Sequence, residues 1–254
     1  MKCLRECVAY FLLASVAVFL TPSPVLSAPQ TDDQARGIAE SVLEAMGGRQ
    51  AWDSTRYVSW SFFGGRQHVW DKWTGNIRIQ TDESDRGPAT LVLMNLNTRQ
   101  GRVWRAGQEL SGDELAEALE GGWRNWVNDS YWMFMPYKLL DPGVSLKYMG
   151  EDSMADDRQA DILELTFEEV GVTPQNKYLV YVAQDSGLVE QWSYFADRDD
   201  TEPGFTRPWA DWQRFGDILL ATGKGRDADW NIQVYDELPA ELFSDPEGRF
   251  PPPQ

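Results

Sequence analysis

An α+β fold, with helices laid on one face of a large curved antiparallel sheet, is predicted by three features of this 254-residue chain. Apolar residues first recur at helical spacing, then from Tyr57 at a spacing of two. The joints between the strand-like runs are too short for parallel crossovers, so neighbouring strands must be antiparallel. A helical insertion rich in aromatic residues, Trp123 to Val144, divides the strands into two groups.

The first helix carries Ala35, Ile38, Ala39, Val42, Leu43 and Met46 on one stripe, with Thr31 or Asp32 as its cap. Gly47-Gly48 closes it, because glycine accepts the left-handed conformation that ends a helix. A short second turn carries Trp52. Strands are expected at Tyr57–Phe63, Gln67–Lys72, Asn76–Thr81, Thr90–Leu96 and Arg102–Arg105, joined by glycine-bearing turns. Ser111-Gly-Asp-Glu114 reads as a capping box that opens a helix with Leu115, Ala118 and Leu119 on its apolar stripe. Gly121-Gly122 should interrupt that helix, and a second half carries Trp123, Trp126 and Val127 towards Trp132. Pro136 and Asp141-Pro-Gly143 turn the chain back. Strands resume at Val144–Met149, Asp161–Phe167, Tyr178–Ala183, Leu188–Phe195, Thr206–Arg214, Gly216–Ala221 and Asn231–Tyr235. No repeat or linker divides residues 28–248, which are expected to form one domain followed by a proline-rich tail, 249–254.

The first residues read as an export signal. Lys2 and Arg5 precede an uncharged run from Cys7 to Leu20, and Val25-Leu-Ser27 leads to a cut before Ala28. That run rises only about 21 Å as a helix, short of the roughly 30 Å of a bilayer core. Cleavage of residues 1–27 removes both cysteines, Cys3 and Cys7, and leaves neither disulfide nor thiol nucleophile. The expected location is periplasmic or secreted, without stable membrane insertion. With 40 acidic against 23 basic residues, the net charge of −17 repels phosphate backbones and anionic headgroups, so nucleic acid is excluded as a partner.

No catalytic residue, cofactor or metal ligand set is assigned. His68 is the only histidine and alternates with Trp70, the pattern of an imidazole tucked beside an aromatic ring. Asp197-Arg-Asp-Asp200-Thr-Glu202 groups oxygen ligands but lacks the glycine and distal glutamate of an EF-hand loop. Asp71, Asp129 and Asp141, each close to aromatic residues, are the candidates for a carboxylate pair of a glycan hydrolase.

The tryptophans are the strongest signal: there are twelve. Alternation places Trp60 with Phe62 and Trp192 with Tyr194, and with Trp70, Trp104, Trp126, Trp132, Tyr137 and Tyr181 these are the expected ligand-binding residues. Wide flat rings on a sheet face pack with gaps that a flexible chain fills.

Several motifs together resemble an uncharacterised family of bacterial exported proteins. They are Gly47-Gly48 with Trp52, His68-Val-Trp-Asp71, Thr74-Gly75 with Arg78, Asn128-Asp-Ser-Tyr-Trp132, and Pro136 through Asp141-Pro-Gly-Val144. Phe167 through Gly171-Val-Thr-Pro174 and Asp236-Glu-Leu-Pro239 with Phe243 extend the match. In architecture this family resembles the LolA/LolB-type outer-membrane lipoprotein carriers. The resemblance implies a LolA-like unclosed β-barrel whose concave face is covered by helices and shelters an acyl chain, with Arg78 as the counterpart of the carriers' inward-facing arginine. The expected function is therefore a non-catalytic carrier or binding protein for a lipid, acyl chain or other hydrophobic small molecule, with Trp123–Tyr137 as a lid hinged at Gly121-Gly122. The alternatives are a cell-envelope hydrolase with paired carboxylates and a module that binds an envelope protein.

Overall fold

The computed structural model describes residues 31–85, 87–225 and 228–249, and its strands sort into two large antiparallel sheets and a hairpin, with no closed barrel. The expected signal segment 1–27 and all of the tail except Arg249 lie outside the described residues. In the first sheet, β1 (Tyr57–Phe62), β2 (Arg66–Asp71), β3 (Asn76–Thr81), β4 (Thr90–Asn95), β5 (Gly101–Arg105) and β6 (Gln108–Glu109) form a meander. The second holds β7 (Val144–Ser153), β8 (Gln159–Phe167), β9 (Lys177–Ala183), β10 (Val189–Phe195) and β11 (Phe205–Pro208). β12 (Ala210–Phe215) pairs only with β13 (Ile218–Gly223), and β14 (Gln233–Tyr235) returns to the free edge of β1. The single strand expected over Thr206–Arg214 is split at Pro208-Trp209. Proline has no amide to give to a ladder, and Trp209 turns into the core while its own amide bonds the Glu190 carbonyl at 2.8 Å.

α1 (Asp33–Ala45) is capped by Asp32, whose carboxylate accepts the Ala35 amide at 2.7 Å and the Tyr148 amide of β7 at 2.8 Å. One side chain thus starts the helix and ties it to the second sheet. Gly47 has φ +117°, and a Cβ there would run into the Asp217 carbonyl, so only glycine joins α1 to α2 (Gly48–Ser54).

Directly paired residues share a sheet face. Val58, Trp60 and Phe62 therefore look inward with Arg66, His68, Trp70, Ile77 and Ile79, while Tyr57, Val69, Arg78, Leu93 and Trp104 look outward. α3 (Gly112–Phe134) crosses the inner face. It runs unbroken through Gly121-Gly122, against expectation: a Cβ at Gly122 would lie 3.0 Å from Val92 Cγ1, so the glycine lets the helix approach β4. The capping box is also unmade. Ser111 sits at the N-cap without a side-chain bond, and Asp113 and Glu114 favour the helix start through its dipole. The second half of α3 enters between the two sheets, and one hydrophobic cluster joins it to α1, α2, β1, β8–β10 and β13.

The outer face of the first sheet is covered by the 3-10 turn Ala240–Phe243, with Leu238 and Leu242 on Tyr57 and Val69. Arg78 also points outward and donates to the carbonyls of Leu242, Asp245 and Pro246, each at 3.2 Å. It grips the C-terminal segment and does not enter the interior, so it is no counterpart of a carrier's inward arginine.

Lys224, just past β13, is fully buried and its Nζ has no hydrogen-bond partner. It stands 3.6 Å from the centre of the Trp209 ring and 5.6 Å from that of Trp230, so indole faces are its main compensation. Burial pushes its amine well below the ordinary lysine value. Lys224→Met keeps the volume and removes the buried amine; it should stabilise the fold by about 1 kcal/mol, roughly 2–4 °C in melting temperature. The unfolded lysine binds a proton that the folded one resists, so this gain should shrink as pH rises towards 10.5. Thermal melts of both proteins at pH 7 and pH 9.5 check the magnitude and the sign.

Candidate functional site

Eight of the ten expected aromatic residues form one continuous belt in or against the main core. Trp60 stacks on His68 (4.6 Å, 6°) and meets Phe134 edge-on (5.0 Å). Trp70 meets Trp126 edge-on at 5.3 Å. Trp132 contacts Phe62, Trp192 and Phe205, and Trp192 lies flat on Tyr178 (5.0 Å, 4°). Tyr194 stacks on Phe205 at 4.9 Å. Tyr137 stacks on Trp52 at 4.2 Å, and its hydroxyl reaches the carbonyls of Met46 and Leu219 (2.9 and 3.0 Å), tying α1 to the hairpin. The other two lie elsewhere. Trp104 is on the outer face of the first sheet with Leu91 and Leu93, and Tyr181 is on the outer face of the second with Ala160 and Ile162.

These rings interlock along the belt. Space remains where α3 meets the second sheet, as a groove of about 60 Å³ lined by Val127, Asn128, Tyr131, Trp132, Phe167, Val170, Val172 and Tyr178. One wall is the loop between β8 and β9, residues 168–176. Arg198 Nη2 pins both ends of this loop by donating to the carbonyls of Phe167 (3.3 Å) and Pro174 (3.1 Å). Trp123–Tyr137, the expected lid, is the second half of α3 with the turn that follows, and it supplies Val127, Asn128, Tyr131 and Trp132 to this groove.

Beside the groove, Asn128 donates to Asp129 at 2.9 Å. Asp129 is fully buried and accepts two bonds from Arg66 (2.7 and 2.8 Å) and one from His68 Nε2 (2.8 Å). Burial opposes ionisation of Asp129, but the bonds from Arg66 and His68 win and hold its pKa below the usual carboxylate range. Burial also depresses His68, so the ring is neutral and Nε2 carries the proton facing Asp129. From the sequence, Asp129 is a candidate carboxylate of a glycan hydrolase; in the structure it is the counter-charge of Arg66. The available signal was Arg66, which alternates onto the same apolar face as His68 and Trp70 and therefore needs a counter-charge there.

The hydrolase arrangement is not assembled. Asp71 belongs to the outer face and is held by two bonds from Arg56 (3.2 and 3.0 Å), whereas Asp129 is engaged on the inner face. Asp141 pairs with Lys138. Two carboxylates on opposite sides of a sheet cannot flank one glycosidic bond. In the acidic loop after β10, Lys177 Nζ donates to the carbonyls of Arg198 and Asp200 (2.7 and 2.8 Å). Among the described residues no group of three His, Cys, Asp or Glu side chains is suited to a metal ion.

Asp129→Ala leaves Arg66 and His68 facing an apolar helix and should cost about 3–5 kcal/mol in denaturant unfolding. Folded His68 resists a proton that the unfolded residue binds near pH 6.5, so stability should fall as pH drops below that value. Asp129 adds to the loss only as pH falls through its own, lower, folded value. His68→Gln should flatten the slope between pH 7 and pH 5, which urea titrations at those pH values measure.

No family model matches this chain, and neither does any curated protein. Among solved structures it is similar to a DUF1329 family protein from Desulfovibrio piger, with 16% identity and a TM-score of 0.46 over 84% of this chain and 98% of that one. It is also similar to MucB, with 17% identity and a TM-score of 0.27 over 75% of this chain and 66% of that one. In the MucA/MucB complex of Pseudomonas aeruginosa the values are 18% and 0.24, over 64% and 51%. The chain thus spans from half to just under two thirds of these MucB chains, and all are distant likenesses.

Proposed function

We propose that this protein is an exported, non-catalytic binding protein that takes an apolar acyl group into the groove between α3 and the 168–176 loop. The observation that carries the proposal is the place where the aromatic belt reaches the surface. Tyr131, Trp132, Phe167 and Tyr178 line an apolar groove there, and Val170 stands 37% exposed. Exposed apolar surface beside a groove is the usual mark of a binding site. A ligand pocket commonly measures about 300–1,000 Å³, well above the 60 Å³ present. Entry of a chain therefore requires the loop to swing away from α3. The loop is built for that: Glu169 and Gly171 take positive φ (49° and 81°), and its two ends hang on one surface arginine. Export rests on the signal expected in residues 1–27, and no helix among the described residues is long and apolar enough to cross a membrane. The motifs by which the sequence resembles an exported family, itself likened to Lol-type carriers, are what favours carriage of an acyl chain over catalysis.

Titration with methyl decanoate, followed by tryptophan fluorescence and native mass spectrometry, should give a saturable one-to-one complex. Val170→Glu sets a charge against the apolar wall and should weaken binding by about tenfold or more. Arg198→Ala frees the loop ends and should speed association and increase hydrogen exchange across 168–176. An unchanged spectrum with no adduct, while the same protein captures an apolar peptide in the groove, would replace the acyl reading with a protein-binding one.

A further inference from the structure

We infer that the groove recognises its acyl ligand at an uncharged carbonyl oxygen, which accepts a hydrogen bond from the Tyr131 hydroxyl. This rests on the acyl reading above and adds the chemistry of the group next to the chain. Tyr131 lines the groove, and its hydroxyl is buried with no hydrogen-bond partner. The rings nearest it, Phe167 at 5.5 Å and Tyr178 at 5.7 Å, present hydrocarbon. A buried hydroxyl without a partner is costly, and a ligand oxygen beside it recovers that loss on binding. The second phenol of the groove differs: the Asn176 side chain acts on Tyr178, whose hydroxyl is not among the buried atoms without a partner. Burial, reinforced by Tyr178 and Asp141, keeps the Tyr131 phenol protonated far above neutral pH, so it serves as a donor and the ligand supplies the acceptor.

The charges around the groove decide that this acceptor is uncharged. Asp141 acts on Tyr131 but is itself paired with Lys138, so the net charge beside the groove comes from Glu168 and Glu169 on the loop and from Asp197, Asp199 and Asp200 around Arg198. Arg66 is neutralised by Asp129, and Arg198 donates to the carbonyls of Phe167 and Pro174. A carboxylate ligand would meet this excess of like charge, whereas an ester or amide carbonyl would not.

Binding of methyl hexanoate, hexane and hexanoate to the full mature chain at pH 7.5, followed by amide NMR shifts, tests this. The ester should bind about fivefold or more tightly than the alkane, the worth of one neutral hydrogen bond, and more tightly than the anion. Tyr131→Phe should abolish the ester's advantage, read as the ratio of ester to hexane affinity in the same protein, while Tyr178→Phe should preserve that ratio. Melting curves verify that both variants fold. Equal ester preference in wild type and Tyr131→Phe, or tighter binding of hexanoate than of its ester, would overturn the inference while leaving the groove as an acyl site. Failure of all three probes to shift groove amides in the wild type would overturn both.

Discussion

A carboxylate buried in an apolar interior stands only if cations or donors meet it there, and Asp129 imposes that condition on the whole molecule. Its partners, Arg66 and His68, lie on neighbouring inward positions of β2. Their fork and ring leave α3 one rotation and one height on the sheet. With that setting, Trp126 and Met133, one turn before and one turn after, share the Asp129 side of the helix, and Tyr131 and Trp132 meet Phe167, Tyr178 and Trp192 of the second sheet. The helix is thus the partition on which both sheets pack, and the groove exists because the partition does not quite seal against the second sheet.

The aromatic residues work differently from an open barrel lining. Edge-to-face and stacked pairs give the belt a solid interior, so binding capacity is concentrated where the belt meets solvent. Around the 168–176 loop lie mostly carboxylates, and the arginines present are already engaged. An acidic surface of this kind repels anionic headgroups and anionic ligands.

Among the buried polar atoms that lack a hydrogen-bond partner, the Lys224 amine and the Tyr131 hydroxyl stand in contrasting settings. Lys224 is compensated by indole faces from Trp209 and Trp230 and belongs to the architecture of the β13–β14 connection. Tyr131 lies on a groove open to solvent. The difference in setting, a closed cage against an accessible cleft, separates a stability liability from a recognition element.

Local patterning was enough to read the secondary structure. The period of two placed every long strand within a few residues, and Asp32 and Gly47 marked the ends of α1 because capping and left-handed turns depend on neighbouring atoms alone. The same alternation put Trp60 with Phe62 and His68 with Trp70, and strand pairing then set all four on one face. It did not distinguish a single curved sheet from two, since strand partners β10 and β11 or β1 and β14 are chosen by which edges the core leaves free. It also misread Gly121-Gly122 as a break. The spacing shows that a side chain is missing there, but only the approach of Val92 explains why. Whether tryptophans surround a space or fill it is likewise decided by contacts between residues far apart in the chain. The pairing of Arg66 with Asp129, 63 positions later, could not be read locally for the same reason. Elements are specified by interactions a few residues long, whereas sites are made by packing between elements, and that is where the tertiary structure alone had the deciding information.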